Sequence, residues 1–408
     1  MMRVLSLMFS TRRCMVVSLA LWALLARSPL AVAELSRVPE GDGGVDQLMD
    51  LELEELLELE VTSASLKTQR LMDVASSVYV IDNAEIRRSG ARSLPELLRQ
   101  VPGLQVAQLD ASRWAVSARG FNGRYARKLL VLIDGRSVYN PTFSGVYWDA
   151  QDLVLEDVER IEVIRGPGAT IWGSNAMNGV INIITRSAQQ TTGTLLKAGA
   201  GNTRHWGGTA RHGGPLGGAT HYRVYAQGFE EGSTRQPLLD AETWDRWSSG
   251  RAGFRLDSAP AARDVVTFTG EVSANRNRSV IQVLDLNTLT TTPDQDAQDV
   301  QGAHMLGRWV HHQESGGTLS VQGYVDHYRR DATLWFDEEV TTLDLEAHHL
   351  LSLPRGQQLV YGANLRWISH GSGDNDSRIR IIPAEADEWS YSAFVQDEVA
   401  LSPERWFL

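Results

Sequence analysis

Cysteine is almost absent: Cys14 is the only one in 408 residues. Neither a disulfide framework nor a cysteine-ligated metal centre can exist once an N-terminal leader is removed. Long apolar runs are lacking too. Residues 14–26 are uncharged and mostly apolar, but a helix needs roughly 20 such residues to span a bilayer. Positive charge is in deficit, with 39 Lys+Arg against 50 Asp+Glu and a net charge of −11. Residues 1–33 carry Arg3, Arg12, Arg13 and Arg27 and no acid, so without them the balance is −11 − 4 = −15. That acidity excludes the basic footprint of a nucleic-acid binder. The 36 Gly and 13 Pro follow no fixed period, which excludes collagen-like and low-complexity chains. No G-x-x-x-x-G-K-[ST] loop and no G-x-S-x-G elbow occurs.

What is present begins with an address. Arg3, Arg12 and Arg13 precede the apolar run, and Ala31-Val32-Ala33 has the form of a cleavage site. Together these predict an exported chain cut before Glu34, the other reading being an uncleaved anchor or buried helix. Residues 34–64 form an acidic arm, Gly-rich at 41–44 and Leu/Glu-rich at 48–60. Residues 65–186 read as a compact α+β unit. Strands are expected at 77–81, 104–109, 114–118, 128–133, 161–165 and 180–185. Helices are expected at 83–89, closed by Gly90, and from a capping box at Ser93 and Glu96 to about residue 100.

Beyond residue 190 the texture changes. Segments of about ten residues alternate apolar and polar, near 194–201, 203–212, 220–230, 247–257, 264–275, 302–312, 319–328, 341–353, 359–367 and 388–401. An eleventh starts at Trp406. In 319–328 one face shows Leu319, Val321, Gly323 and Val325 and the other Ser320, Gln322, Tyr324 and Asp326. The lengths suit tilted strands crossing a bilayer. Trp244, Trp247, Trp309, Trp335, Trp389 and Tyr391 near strand ends suit an interfacial girdle. An exported chain without a spanning helix can still enter a membrane as a closed barrel, and a soluble β-sandwich or secreted solenoid is the competing reading. Residues 276–300, rich in Asn, Thr, Asp and Gln, read as a long extracellular loop. His311-His312 and His348-His349 do not read as metal sites, since adjacent strand residues point to opposite faces. No metal site and no cofactor is expected.

The compact unit carries five motifs in order: Ser117-Ala118-Arg119-Gly120-Phe121; Leu130-Val131-Leu132-Ile133-Asp134-Gly135-Arg136; Glu159-Arg160-Ile161-Glu162-Val163-Ile164-Arg165-Gly166-Pro167; Trp172-Gly173-Ser174-Asn175-Ala176; and Gly179-Val180-Ile181-Asn182-Ile183-Ile184-Thr185. In this order and spacing they resemble the plug domain of TonB-dependent outer-membrane receptors. The resemblance implies an α+β plug followed by an antiparallel transmembrane β-barrel, incomplete here. The family's barrel has about 22 strands, and the 408 − 190 = 218 residues that remain hold about ten or eleven. The chain thus reads as an N-terminal portion, located in the outer membrane of a Gram-negative bacterium. It is expected to act as a monomer and not as an enzyme.

The resemblance also implies roles. A periplasm-spanning energy transducer, TonB, would grip a short extended segment by strand addition; Glu60-Val61-Thr62-Ser63-Ala64 is the candidate box, or else simply an edge strand of the plug. Arg119 and Arg165 would face the barrel wall and pair with carboxylates in the part of the barrel that these strands do not include, or else be exposed surface arginines. Gly120, Asp134, Gly135, Gly166, Pro167, Gly173, Asn175, Gly179 and Asn182 would be structural. Arg113, Trp114, Tyr139, Phe143, Tyr147 and Trp148 are candidates either for ligand contact or for plug–barrel packing. The expected function is active uptake of a scarce ligand, an iron–siderophore complex or a cobalamin-like molecule. The alternatives are a ligand-binding or signalling module without transport and, less so, an outer-membrane enzyme. Outer-membrane lipid completes the expected partners.

Overall fold

The computed structural model describes residues 60–61, 69–70, 76–120, 122–124, 128–166, 168, 172–236, 241–285, 288–334, 336–373, 381–402 and 406–407. The leader and most of the acidic arm lie outside the described residues, as do Thr62, Ser63, Ala64, Pro167 and Trp335. Strand β1 (Glu60–Val61) pairs antiparallel with β2 (Gln69–Arg70).

The α+β unit follows as β3 (Val78–Asp82), α1 (Asn83–Arg88), α2 (Leu94–Leu98), β4 (Leu104–Gln108), β5 (Trp114–Ala118), β6 (Leu129–Ile133), β7 (Arg136–Ser137), β8 (Val158–Ile164) and β9 (Gly179–Thr185). Its main sheet has the order β3-β8-β9-β6-β7, and β4 and β5 form a separate hairpin. β6 and β9 run parallel and the other pairs antiparallel, the mixed sheet that the sequence predicts. Apolar residues at period two along β6, β8 and β9 and three leucines of α2 meet in one core, with Ile81, Leu94, Leu97, Leu98, Val158, Ile161, Ile181 and Ile183 all fully buried.

The capping box sits one helix earlier than expected. Asp82 Oδ1 accepts from the Glu85 amide at 2.7 Å, and Glu85 Oε2 accepts from the Asp82 amide at 3.3 Å, fixing the start of α1. Ser93 precedes α2 but makes no side-chain cap, and its hydroxyl is buried without a partner. Pro95 lies in the first turn of α2 and removes one of the two amides that an N-cap oxygen uses. Glu96 instead accepts from the Arg92 amide at 2.7 Å.

The second sheet consists of β10 (Gly193–Gly199), β11 (Arg204–Gly217), β12 (Thr220–Glu231), β15 (Trp247–Ala261), β16 (Asp264–Asp285), β17 (Thr290–His312), β18 (Thr318–Ala332), β19 (Asp337–Ser352), β20 (Gln358–Gly373) and β21 (Glu385–Glu398). These ten strands pair in chain order, all antiparallel, with β10 and β21 at the open edges. Two short ribbons, β13 (Arg235–Gln236) with β14 (Ala241–Glu242) and β22 (Ala400–Ser402) with β23 (Trp406–Phe407), accompany them.

Each predicted strand has its counterpart, but residues 276–300 are not a loop. They extend β16 and β17, paired without interruption out to Asp285 opposite Thr290. The polar composition hides the period of two. Asn275, Asn277, Ser279, Asp296 and Gln298 alternate inward and are buried, so burial alternates where hydropathy does not.

The sheet is inside-out relative to a soluble protein. In β18, Ser320, Gln322 and Tyr324 are 7%, 7% and 5% exposed, whereas Val325 on the opposite face is 36% exposed. The outward row Met305–Val325–Leu343–Trp367–Trp389 runs across five neighbouring strands in direct register. Trp309, Trp389 and Tyr391 point outward as girdle residues should, but Trp247 does not: it is buried against Phe229 at 4.8 Å between ring centroids. Among the described residues no helix is long and apolar enough to cross a membrane. At one end the strands join through the short connections 218–219, 262–263, 313–317 and 353–357. At the other they join through 200–203, 232–246, 286–289, 333–336 and 374–384. Only that second end carries long connections, 232–246 and 374–384, as the outside-facing end of an outer-membrane barrel does.

Candidate functional site

The α+β unit meets the large sheet through charge. At the β6–β7 turn, Asp134 and Gly135 both have positive φ, 50° and 84°, the requirement of a two-residue type I′ hairpin. Asp134 accepts from the Thr185 amide at 2.8 Å and the Thr185 hydroxyl at 2.7 Å, tying β6 to the end of β9. From the large sheet, Arg308 donates to the Asp134 carbonyl, and Arg255 lies 3.7 Å from its carboxylate. Asp157 pairs with Arg211 and with Arg223, the latter at 3.5 Å. Asp149 accepts from Arg330 at 2.9 Å and from Asn277. Two pairs are reversed, Arg136 reaching Asp326 and Arg92 lying 3.7 Å from Glu231. Arg251 donates to the Asp152 carbonyl and pairs with Glu271 at 3.1 Å. Both carboxylate oxygens of Asp152 are buried without a hydrogen bond, and burial raises its pKa above the usual carboxylate range.

Along these ten strands the seam mostly sets acids of the α+β unit against arginines of the sheet, and neither Arg119 nor Arg165 takes part in it among the described residues. Arg119 donates to the Arg165 carbonyl at 3.1 Å. Arg165 donates to the Pro102 carbonyl at 2.9 Å and the Ser77 hydroxyl at 2.6 Å. These contacts stay inside the α+β unit, where they fasten β8 to its neighbours. The seam pairs are hidden in the sequence by distance along the chain: Asp149 and Arg330 are 181 residues apart. The available signal was an inward-facing Arg on strand after strand, at 211, 223, 251, 255, 308 and 330.

Two clefts open at the end with the longer connections. The first, about 110 Å³, lies under residues 140–149 and is lined by Arg124, Phe143, Tyr147, Ile281, Asp296 and Arg330 among others. Phe143 stacks on Tyr147 at 4.0 Å, Tyr147 on Tyr328 at 5.4 Å, and the Tyr147 hydroxyl donates to Glu338 at 3.1 Å. The second, about 250 Å³, lies between α2 and the connection 232–246, with Arg92, Trp114, Arg204, Glu231 and Trp247 on its walls.

Of the six residues named for ligand contact or packing, Phe143 and Tyr147 pack against Val300 and Tyr328 of the sheet while edging the first cleft. Trp148 belongs to the core of the α+β unit, and so does Trp114, which is 5% exposed under the Arg99 guanidinium. Arg113 is tied to Asp110. Tyr139 is half-buried after β7.

The structural residues fall at turns and close approaches. Gly120 and Gly173 have φ of 91° and 73°, and Asn175 has φ 70°. A Cβ on Gly179 would lie 2.5 Å from the Ile164 carbonyl oxygen, so β8 and β9 need that glycine. Gly166 is buried after β8, and Asn182 is buried between Leu132 and Glu162. Of the candidate box, Glu60 and Val61 form β1, and Val61 is fully buried. No group of three or more potential metal ligands occurs among the described residues. His311 instead bonds Asp264 and His349 bonds Tyr361, both at 2.9 Å.

Comparison with known proteins places this geometry. Residues 70–180 match the family model described as TonB-dependent Receptor Plug Domain. The chain is 36% identical over 144 residues to the vitamin B12 transporter BtuB of Vibrio vulnificus, covering 35% of this chain and 23% of that protein. It is 32% identical over 201 residues to BtuB of Vibrio cholerae, covering 49% and 31%. Among solved structures it is similar to a mutant ferric enterobactin receptor PfeA from Pseudomonas aeruginosa, with TM-score 0.62, 17% identity, and 81% of this chain on 56% of that one. It is also similar to the ferripyoverdine receptor of the outer membrane of the same species, with TM-score 0.63, 14% identity, and coverage of 84% and 52%. The matches thus span under a third of the BtuB chains and about half of the solved receptors. A matching plug, seated by polar contacts against ten antiparallel strands whose apolar face is turned outward, is what this chain shares with the TonB-dependent receptors.

Proposed function

We propose that the chain works in TonB-dependent uptake of a scarce ligand across the outer membrane, and that the ligand is a ferric siderophore or a corrinoid. The observation that carries this reading is the seam. Carboxylates at 134, 149 and 157 are paired with arginines of the sheet, where a permanent core would place apolar side chains. A hydrogen-bonded polar contact in a wet lumen holds its geometry at rest and can be replaced by water under load. The sequence relatives named as vitamin B12 transporters support a corrinoid, and the solved neighbours named as siderophore receptors support an iron chelate.

Energy must come from a partner, because the chain has no nucleotide-binding loop. Strand addition to Glu60-Val61 requires the β1–β2 pair to open first, since Val61 is buried and both backbones are already bonded. The test is uptake of labelled cyanocobalamin and ferric siderophores by a deletion strain complemented with the full-length parent receptor or with its variant lacking residues 58–65. The expected outcome is energised uptake of one ligand, abolished by the deletion with equilibrium binding retained. Binding lost together with uptake would refute the box, and uptake of neither ligand would refute the assignment.

A further inference from the structure

The first cleft shares one side chain with the plug's own fastening. Arg330 lines the cleft, is 2% exposed, and holds residues 140–149 from below. Its Nη2 donates to Asp149 at 2.9 Å, Nε to the Tyr328 hydroxyl at 2.5 Å, and Nη1 to Gln298, while the guanidinium lies 4.0 Å from the Tyr147 ring centroid. A guanidinium carries five N–H donors, and these bonds use three of them. The remaining donors belong to a group that borders about 110 Å³ of open space. That space is well below the roughly 300–1,000 Å³ of a whole-ligand pocket, so it admits part of a ligand.

Building on the uptake reading, we propose that Arg330 is the positioning residue through which an anionic oxygen of the ligand, seated in this cleft, loosens the plug. An anion there lies across one guanidinium from the Asp149 carboxylate. A single positive charge then serves two negative ones, which repel each other at close range in a site shielded from water. Asp149 keeps its bond to Asn277 but loses much of its hold on Arg330. Residues 140–149 are thereby freed at the end facing the ligand. A phosphodiester, a carboxylate or a catecholate would supply the same oxygen chemistry.

The test uses the full chain in outer-membrane vesicles and reads the rate of proteinase K cleavage within the plug, alongside probe binding. Inorganic phosphate in excess, cyanocobalamin and ferric enterobactin are the probes. Without probe, Asp149→Asn and Arg330→Gln are each expected to be cleaved roughly tenfold faster than wild type, and the double variant no faster than either, since coupled partners are not additive. Phosphate, and whichever large probe binds, should accelerate wild type severalfold and leave Asp149→Asn unchanged at its faster rate. Arg330→Lys keeps the charge and serves if Arg330→Gln fails to assemble; it should also cleave faster than wild type. Wild-type cleavage rates in the variants, additive effects, or equal acceleration of wild type and Asp149→Asn by phosphate would overturn the proposal. If phosphate acts as expected while neither large probe binds, the uptake reading fails and Arg330 keeps its role.

Discussion

Asp134 and Gly135 carry the seam at its tightest turn. A Cβ on Gly135 would lie 2.8–3.0 Å from the ends of Gln322 and Arg308, and both of those side chains can give way. The positive φ cannot, so backbone strain decides the outcome. Gly135→Ala is expected to cost about 1–2 kcal/mol, read as a lower denaturation midpoint. Asp152 makes the opposite case, a buried carboxyl whose oxygens meet no donor. Burial raises its pKa in the folded state, so its contribution is most favourable below the unfolded carboxylate pKa and is lost as pH rises through the folded one. Asp152→Asn should therefore change Tm little at acid pH and raise it increasingly toward neutrality. An equal shift at both ends of a pH series would contradict the assignment. The Asp134-Gly135 turn is readable from two adjacent letters. The arginines that hold it are not, because Arg308 lies 174 residues further along the chain.

Strands were legible because alternation survives without knowledge of which face is wet. What alternation alone leaves open is the direction of burial. The apolar set of β18 faces outward, and Gln322 and Tyr324 face the plug. Val325→Lys puts a charge in the outward row between Met305 and Leu343, at an expected cost of about 2–4 kcal/mol near the bilayer midplane. Folding into liposomes against denaturant would measure it. Residues 276–300 were misread because their inward residues are Asn, Ser, Asp and Gln, a pattern that hydropathy cannot see. The box pattern at Ser93 and Glu96 does not close, because the Glu96 carboxylate reaches the Arg92 amide instead of the Ser93 amide.

For the whole molecule, two unlike sheets are joined by a polar seam, and the larger one turns an apolar face outward, as the proposed membrane location requires. The plug motifs made its mixed sheet readable from sequence, while the pairing of plug acids with wall arginines needed the fold. The most direct measurement is quenching by brominated lipids in single-tryptophan variants of the full chain reconstituted in bilayers. Trp389, 65% exposed on the outward row, should be quenched strongly, and Trp148, buried in the plug core, should be untouched. Equal quenching of both, or of neither, would contradict a plug enclosed behind a lipid-facing wall.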